Sequence, residues 1–215
     1  MKARTPSLGD NGAPREARSS LTKAVGRLCS FILLGLMLAA PGEVLNQILA
    51  RHNLPAFRNT MTSYSILLFV GFLARGGILR LFASRARAMV VYYLAFGCLG
   101  LAVEWFLLGN GPVANPLQVI TQPGMFTYWG TMMIGPTLIM EPGGLSGLRR
   151  HFIRFFVVFS AVYLLVAAII PKDHGGVFFG FIIFAAGTAW LNWYYIKFFR
   201  LLKAGASTVQ RPALG

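Results

Sequence analysis

The sequence predicts an all-α fold, a polytopic membrane bundle of six transmembrane helices with both termini in the cytoplasm. Three observations lead to this prediction: the composition, the spacing of the apolar segments and the placement of the basic residues. Hydrophobic residues make up 56% of the 215-residue chain and charged residues only 12%, with a mean hydropathy of +0.62. Because a water-soluble domain of this length does not bury so much apolar surface, the composition favours a bilayer.

Six apolar segments are long enough to be membrane spans, since a helix needs about 20 apolar residues to cross about 30 Å of hydrocarbon. Turns rich in Asn, Pro and Gly separate several of them. We place the spans at 28–49, 60–81, 89–109, 123–141, 154–171 and 177–198. This assignment predicts a disordered basic tail over 1–27, a transmembrane domain over 28–198 and a second basic tail over 199–215.

The basic residues give the orientation. Seventeen of the 20 Lys and Arg residues lie in the two tails, in the connections after the second and fourth spans or in the span ends that adjoin them, the exceptions being Arg51, Arg58 and Lys172. This bias predicts cytoplasmic termini and, with the short loops, a multi-pass protein of the bacterial inner membrane. The net charge of +14 does not indicate specific nucleic-acid binding, because the cations stand at the ends of apolar segments. The chain is therefore predicted to lie in a lipid bilayer.

The first span contains a stripe of small residues that ends in polar ones. Small residues in a membrane helix mark the face that another helix approaches closely. We therefore expect Glu43, Asn46 and Gln47, which lie on or beside the stripe, to face the bundle interior. At helical spacing the stripe consists of Gly35, Ala39, Gly42 and Asn46.

The third span repeats the pattern with Gly97, Gly100 and Glu104 on one face. Glu43 and Glu104 each come about fifteen residues into parallel spans, or about 22 Å at roughly 1.5 Å per residue, so both carboxyl groups are expected at one level. Burying a charge there costs on the order of 1–3 kcal/mol. A shared proton, an amide from Asn46 or Gln47, water or a ligand would offset it. These four residues are the predicted ligand or proton site, with a purely structural role as the alternative.

The fourth span has a second polar line, which runs through Thr127, Thr131 and Thr137 to Glu141. Pro136 is expected to bend this helix, because it frees the carbonyl group of Met132. The threonines are either a ligand path or simple packing residues that bond the carbonyl group four residues back. Glu141 is predicted to form a structural ion pair with Arg75, with Arg80 as the alternative partner.

The sequence predicts no catalytic, metal or cofactor site. Ser146 and His174 are expected on opposite sides of the membrane, too far apart for a nucleophile and its base. No cluster of Cys, His and Asp residues has the spacing of metal ligands.

Three functions remain open. The first is a non-enzymatic protein that binds a protein partner, as an accessory subunit or as a regulator that holds a soluble factor. The second is a transporter, or a protein that binds a proton or a small lipophilic ligand through Glu43 and Glu104. The third is a lipid- or isoprenoid-modifying enzyme that uses the two carboxyl groups as acid and base. The absence of a catalytic motif favours the first.

Overall fold

The computed structural model describes residues 12–50, 52–106, 119, 121–141, 145–169 and 174–209. Over these residues the protein is an all-α bundle, as predicted, and no β-strand occurs in the described part of the chain. The helices are α1 (Gly12–Glu43), followed by a π-helical segment (Val44–Ala50), α2 (Leu54–Leu81), α3 (Arg85–Phe106), α4 (Gln122–Ile139), α5 (Ser146–Ile169) and α6 (His174–Val209).

Each predicted span overlaps one helix of this series. Among the described residues, four helices are long and apolar enough to cross a membrane, and their ranges are Ser20–Leu49, Leu54–Leu81, Arg85–Phe106 and Ser146–Ile169. Such helices fit a multi-pass membrane protein. The number of spans and the cytoplasmic location of both termini remain predictions.

Helix α4 lies at the centre of the bundle. It packs against α1, α2, α3 and α6, and every residue from Trp129 to Leu138 is buried. A helix surrounded by other helices does not need an apolar outer face, which explains the glycines, threonines and proline of its sequence. Pro136 is accommodated inside the helix.

The first tail differs from the prediction. Residues 12–27 were expected to be disordered, but α1 begins at Gly12 and continues unbroken into the apolar part of the chain. The segment holds good helix formers, Ala, Arg, Leu and Lys, which extend the long apolar helix that follows. Residues 1–11 lie outside the described part of the chain. At the other end, α6 continues to Val209, so much of the second predicted tail is helical too.

A sharp turn joins α1 to α2. Pro41 lies inside α1, and the chain changes from α- to π-helix at Val44; a proline without its N–H group commonly accompanies such a change. His52 has a left-handed backbone with φ of 51°. The Asn53 N–H donates to the carbonyl group of Gln47 at 2.8 Å, and the Asn53 side chain accepts from the Ala56 N–H at 2.9 Å. One turn therefore closes the first helix and caps the second.

The small-residue stripes are contact surfaces, as predicted. Gly35 lies against Leu68 of α2, and Gly42 lies against the Tyr128 ring of α4. On α3, Gly97 faces Phe126 and Gly100 faces Trp129. Each glycine admits a large side chain from a neighbouring helix at a distance that a methyl group would prevent.

The basic residues of several helices meet at one end of the bundle, which we call the basic end. Arg85 at the start of α3 contacts Glu141 after α4, and Arg149 near the start of α5 donates to the Ile139 carbonyl group at 2.9 Å. Arg87 of α3 and Arg200 of α6 border one groove. Since these contacts join α3, α4, α5 and α6 at the same level, they fit the charge asymmetry on which the predicted orientation depends.

We predict that Gly100→Ala destabilises the bundle by about 1–3 kcal/mol, because the added methyl group would overlap Cγ and also Cβ of Trp129, and Cβ cannot move without the Trp129 backbone. Gly77→Ala is the matched control, since a methyl group there meets no atom within 4 Å; it should gain up to about 1 kcal/mol from helix propensity. Thermal unfolding in detergent would measure both. Equal effects of the two substitutions would contradict the close contact.

Candidate functional site

Glu43 is buried where α1, α2 and α4 meet, with 6% of its surface exposed. Its Oε1 accepts two hydrogen bonds, from the Tyr64 hydroxyl group at 2.7 Å and from the Tyr128 hydroxyl group at 3.0 Å. The Tyr128 hydroxyl group also lies 3.3 Å from the carbonyl oxygen of Ala39. Two phenolic donors thus offset part of the cost of burying this carboxyl group.

Glu104 of α3, 9% exposed, lies beside the same group of rings. Its Oε1 accepts a hydrogen bond from the Trp129 indole N–H at 3.2 Å. The Trp129 ring packs edge-on against the Tyr64 ring, with their centroids 5.5 Å apart. The two glutamates are therefore connected through one ring pair, and we call Glu43, Tyr64, Tyr128, Trp129 and Glu104 the carboxyl–aromatic cluster.

The cluster lies near the end of α3 and of α1, on the side of the bundle away from the basic end. Gln122 at the start of α4 accepts a 2.6 Å hydrogen bond from the Trp105 indole N–H, which fixes the end of α3 beside the start of α4. Glu43 and Glu104 thus lie in one neighbourhood, connected through the packed rings of Tyr64 and Trp129. Each carboxyl group has its own aromatic donor.

Asn46 and Gln47 were predicted to belong to the same site as the glutamates, but neither is a described hydrogen-bond partner of Glu43. Asn46 is exposed and Gln47 is half-buried, and the described hydrogen bonds of Glu43 come from tyrosines. The cause is the change to π-helix at Val44. A π-helix closes its hydrogen bonds one residue later than an α-helix, so each residue turns through a smaller angle and Asn46 leaves the stripe face. The prediction that Asn46 faces inward was wrong.

The threonines of α4 are all buried and all hydrogen-bonded. Thr127 accepts from the Asn192 side-chain amide at 2.9 Å, and Asn192 in turn accepts from the Tyr93 hydroxyl group at 2.6 Å. Thr131 accepts from the Tyr195 hydroxyl group at 2.7 Å. These bonds join α4 to α3 and α6. Their role as a ligand path stays a prediction.

Thr137 donates to the carbonyl group of Met133, four residues back, at 3.4 Å. This is the packing role that the sequence offered as the alternative to a ligand path.

The predicted ion pair has a different partner. Glu141 pairs with Arg85, with Oε1 2.7 Å from a guanidinium nitrogen, and Arg75 is not its partner. Glu141 is near enough to Arg75 to act on it electrostatically, but Arg75 precedes the end of α2 by more than one turn, whereas Arg85 begins α3 beside the end of α4. Arg149 also donates to the backbone carbonyl group of Glu141.

A crevice opens beside the cluster, between α1 and α5. It consists of two cavities, of about 60 and 360 Å³, which share the lining residues Leu38, Pro41, Phe156 and Ser160. The smaller cavity reaches Gly42, Tyr128, Thr127 and Thr131; the larger one is almost entirely apolar and extends to Leu34, Ile139 and Leu164. We call these two cavities together the α1–α5 crevice. It reaches the chain neighbour of Glu43 and one of its hydrogen-bond donors.

The second carboxyl oxygen of Glu43 is an unusual feature of the site. Oε2 is buried and has no hydrogen-bond partner among the described residues. A buried carboxyl oxygen without a donor costs on the order of 1–3 kcal/mol, so native structures usually satisfy it. A hydrogen-bond donor from outside the described residues would therefore bind favourably at Oε2.

The aromatic members of the cluster were not predicted. Tyr64 shares one helix face with Leu68 and Gly71, all three of which are buried, and this spacing of four and three is visible in the sequence. A tyrosine on the packed face of an apolar helix needs an acceptor for its hydroxyl group, and a buried glutamate needs a donor. Matching these two needs would have connected Tyr64 with Glu43.

Comparison with known proteins finds no match: no family model, no curated protein and no solved structure is similar to this chain. Among the described residues, no group of three or more His, Cys, Asp or Glu side chains could hold a metal ion.

We predict that the Tyr64 hydroxyl group stabilises the fold through Glu43. Tyr64→Phe should lower the free energy of unfolding by about 1.5–3 kcal/mol, the usual contribution of a hydrogen bond to a charged group. In a Glu43→Leu background, where the acceptor is absent, the same substitution should cost less than about 0.5 kcal/mol. Chemical or thermal unfolding of the four proteins completes the double-mutant cycle. Additive losses would show that the two side chains do not interact.

Proposed function

We propose that this chain is a non-enzymatic multi-pass membrane protein that binds a small lipophilic ligand in the α1–α5 crevice, with the Glu43 carboxyl group as the acceptor for a donor on the ligand. The observation that supports this proposal best is the buried Oε2 of Glu43, which has no partner among the described residues. A ligand hydroxyl, amine or ammonium group would supply the missing hydrogen bond.

The lining of the crevice indicates the class of ligand. Leu38, Phe156 and Leu164 give apolar walls, and Ser160 and Tyr128 each add a hydroxyl group, that of Tyr128 being bonded to Glu43. A mostly apolar cavity with a small number of placed polar groups is the usual form of a small-molecule site. An amphiphile matches this lining, because its acyl or isoprenoid chain would contact the apolar walls and its headgroup would donate a hydrogen bond to Glu43.

The arrangement of the carboxyl groups supports binding over acid–base catalysis. An acid and a base that act on one substrate must both reach the reacting group. Glu43 and Glu104 instead bind separate aromatic donors and are connected through the packed rings of Tyr64 and Trp129. This geometry favours the hypothesis of a ligand or proton site over that of a lipid-modifying enzyme.

The hypothesis of a protein partner stays a prediction. It depends on the basic N-terminal tail, whose first residues, 1–11, lie outside the described part of the chain. Helix α1 starts at Gly12, so a partner would meet a basic helix rather than a disordered segment over residues 12–27. Anionic lipid would attract the same charges.

The ligand proposal is tested by purification in mild detergent and mass spectrometry of the extracted small molecules. The wild-type protein should retain an amphiphile that Glu43→Gln retains at least about tenfold less, because the amide would present a donor where the ligand needs an acceptor. Ser160→Trp, which fills a wall common to both cavities, should have the same effect.

Val162→Trp is the matched control, since Val162 lies on the same helix with 45% of its surface exposed and outside the crevice. It should leave the retained amphiphile unchanged. Identical extracts from all four proteins would refute the proposal.

A further inference from the structure

A second groove lies at the basic end of the bundle, between the start of α3 and the last turns of α6. It encloses about 570 Å³ and is open on one side. It is distant from the carboxyl–aromatic cluster, which lies toward the other ends of α1 and α3. None of its lining residues belongs to the α1–α5 crevice.

The groove has two chemically different parts. Arg87, Arg200 and Lys203 supply three cations, and the lining contains no acidic residue. Glu141, the acid that pairs with Arg85 two residues before Arg87, is not among the lining residues. The remaining walls are largely apolar and consist mainly of Val90, Val91, Ile196 and Phe199. Positive charge at one end and an apolar channel next to it complement a molecule with an anionic head and a hydrocarbon chain.

The order of the lining residues along α3 and α6 agrees with such a molecule. Val90 and Val91 belong to α3, one of the helices apolar enough to cross a membrane. On α6, Lys197 lies 4.9 Å from the centre of the exposed Trp193 ring, and Trp residues are enriched at the membrane–water interface. Ile196 lies at this level, between Trp193 and Lys197, and Arg200 and Lys203 come after it. The cations therefore fit the headgroup region and the apolar walls fit the acyl region.

We propose that this groove binds one anionic phospholipid, with its phosphate group at Arg87, Arg200 and Lys203 and one acyl chain against Val90, Val91 and Ile196. Basic pockets between membrane helices bind anionic headgroups by charge attraction and by hydrogen bonds from guanidinium groups. An apolar channel that continues into the bilayer distinguishes a phospholipid from free phosphate.

The test uses the full chain, delipidated in a nonionic detergent, with native mass spectrometry to count bound lipids. Dioleoyl-phosphatidylglycerol is the probe, and dioleoyl-phosphatidylcholine, which has the same chains and no net charge, is the reference. We expect one phosphatidylglycerol to bind at least about tenfold more tightly than phosphatidylcholine. Inorganic phosphate in excess should not displace it, because phosphate lacks the acyl contacts.

The triple substitution Arg87→Gln, Arg200→Gln and Lys203→Gln should abolish this preference. The matched control, Arg80→Gln, Arg150→Gln and Arg154→Gln, removes the same charge from exposed positions outside the groove and should keep affinity within about twofold of wild type. Ile196→Trp, which keeps all cations and fills the acyl part, should lower the affinity about tenfold.

Equal losses in the two triple variants would show that only general surface charge attracts the lipid, and would overturn the proposal. Equal affinity for the two lipids, or full displacement by phosphate, would also overturn it. A failure of the crevice ligand test leaves these expectations unchanged, since the two sites share no lining residue.

Discussion

A carboxyl group buried among apolar helices needs donors, and the way Glu43 obtains them determines how the first four helices meet. Its donors come from α2 and α4, through Tyr64 and Tyr128, and the Trp129 indole N–H extends the connection to Glu104 on α3. Hydrogen bonds of this kind are directional, so they require α1 to approach α4 closely. Gly42 permits that approach because the Tyr128 ring occupies the space that a side chain would fill.

The same requirement explains why α4 is central and comparatively polar. It supplies Tyr128 and Trp129 to the carboxyl groups, and its threonines accept hydrogen bonds from Asn192 and Tyr195 of α6. Lipid-facing helices cannot make such contacts with their outer surface, whereas a helix enclosed by protein can satisfy every polar group internally. At the opposite end, Arg85 and Arg149 neutralise or cap the end of α4 at Glu141. The bundle is thus fixed by polar contacts at both levels and by apolar packing between them.

The sequence predicted the features that follow from periodicity and composition. The all-α class, the six helical segments and the close-contact faces at Gly35, Gly42, Gly97 and Gly100 all depend on spacing along one chain segment. It also placed Glu43 and Glu104 in one neighbourhood, because depth follows from residue count. The ion-pair and hydrogen-bond partners of the glutamates were harder to predict, because they depend on which helices are neighbours in the bundle. Arg75 was therefore chosen in place of Arg85, the tyrosines of the cluster were missed, and the local change to π-helix at Val44 turned Asn46 outward.

The central claim is that two tyrosine hydroxyl groups bind one oxygen of Glu43 inside the bundle. Solid-state NMR in bilayers, with ¹³C at tyrosine Cζ and at glutamate Cδ, measures this proximity directly. We expect cross-peaks from Glu43 Cδ to the Cζ atoms of both Tyr64 and Tyr128, with Glu43→Gln assigning the glutamate and Tyr64→Phe and Tyr128→Phe each removing one of the two. The absence of both Glu43 cross-peaks in the wild-type protein would contradict the claim.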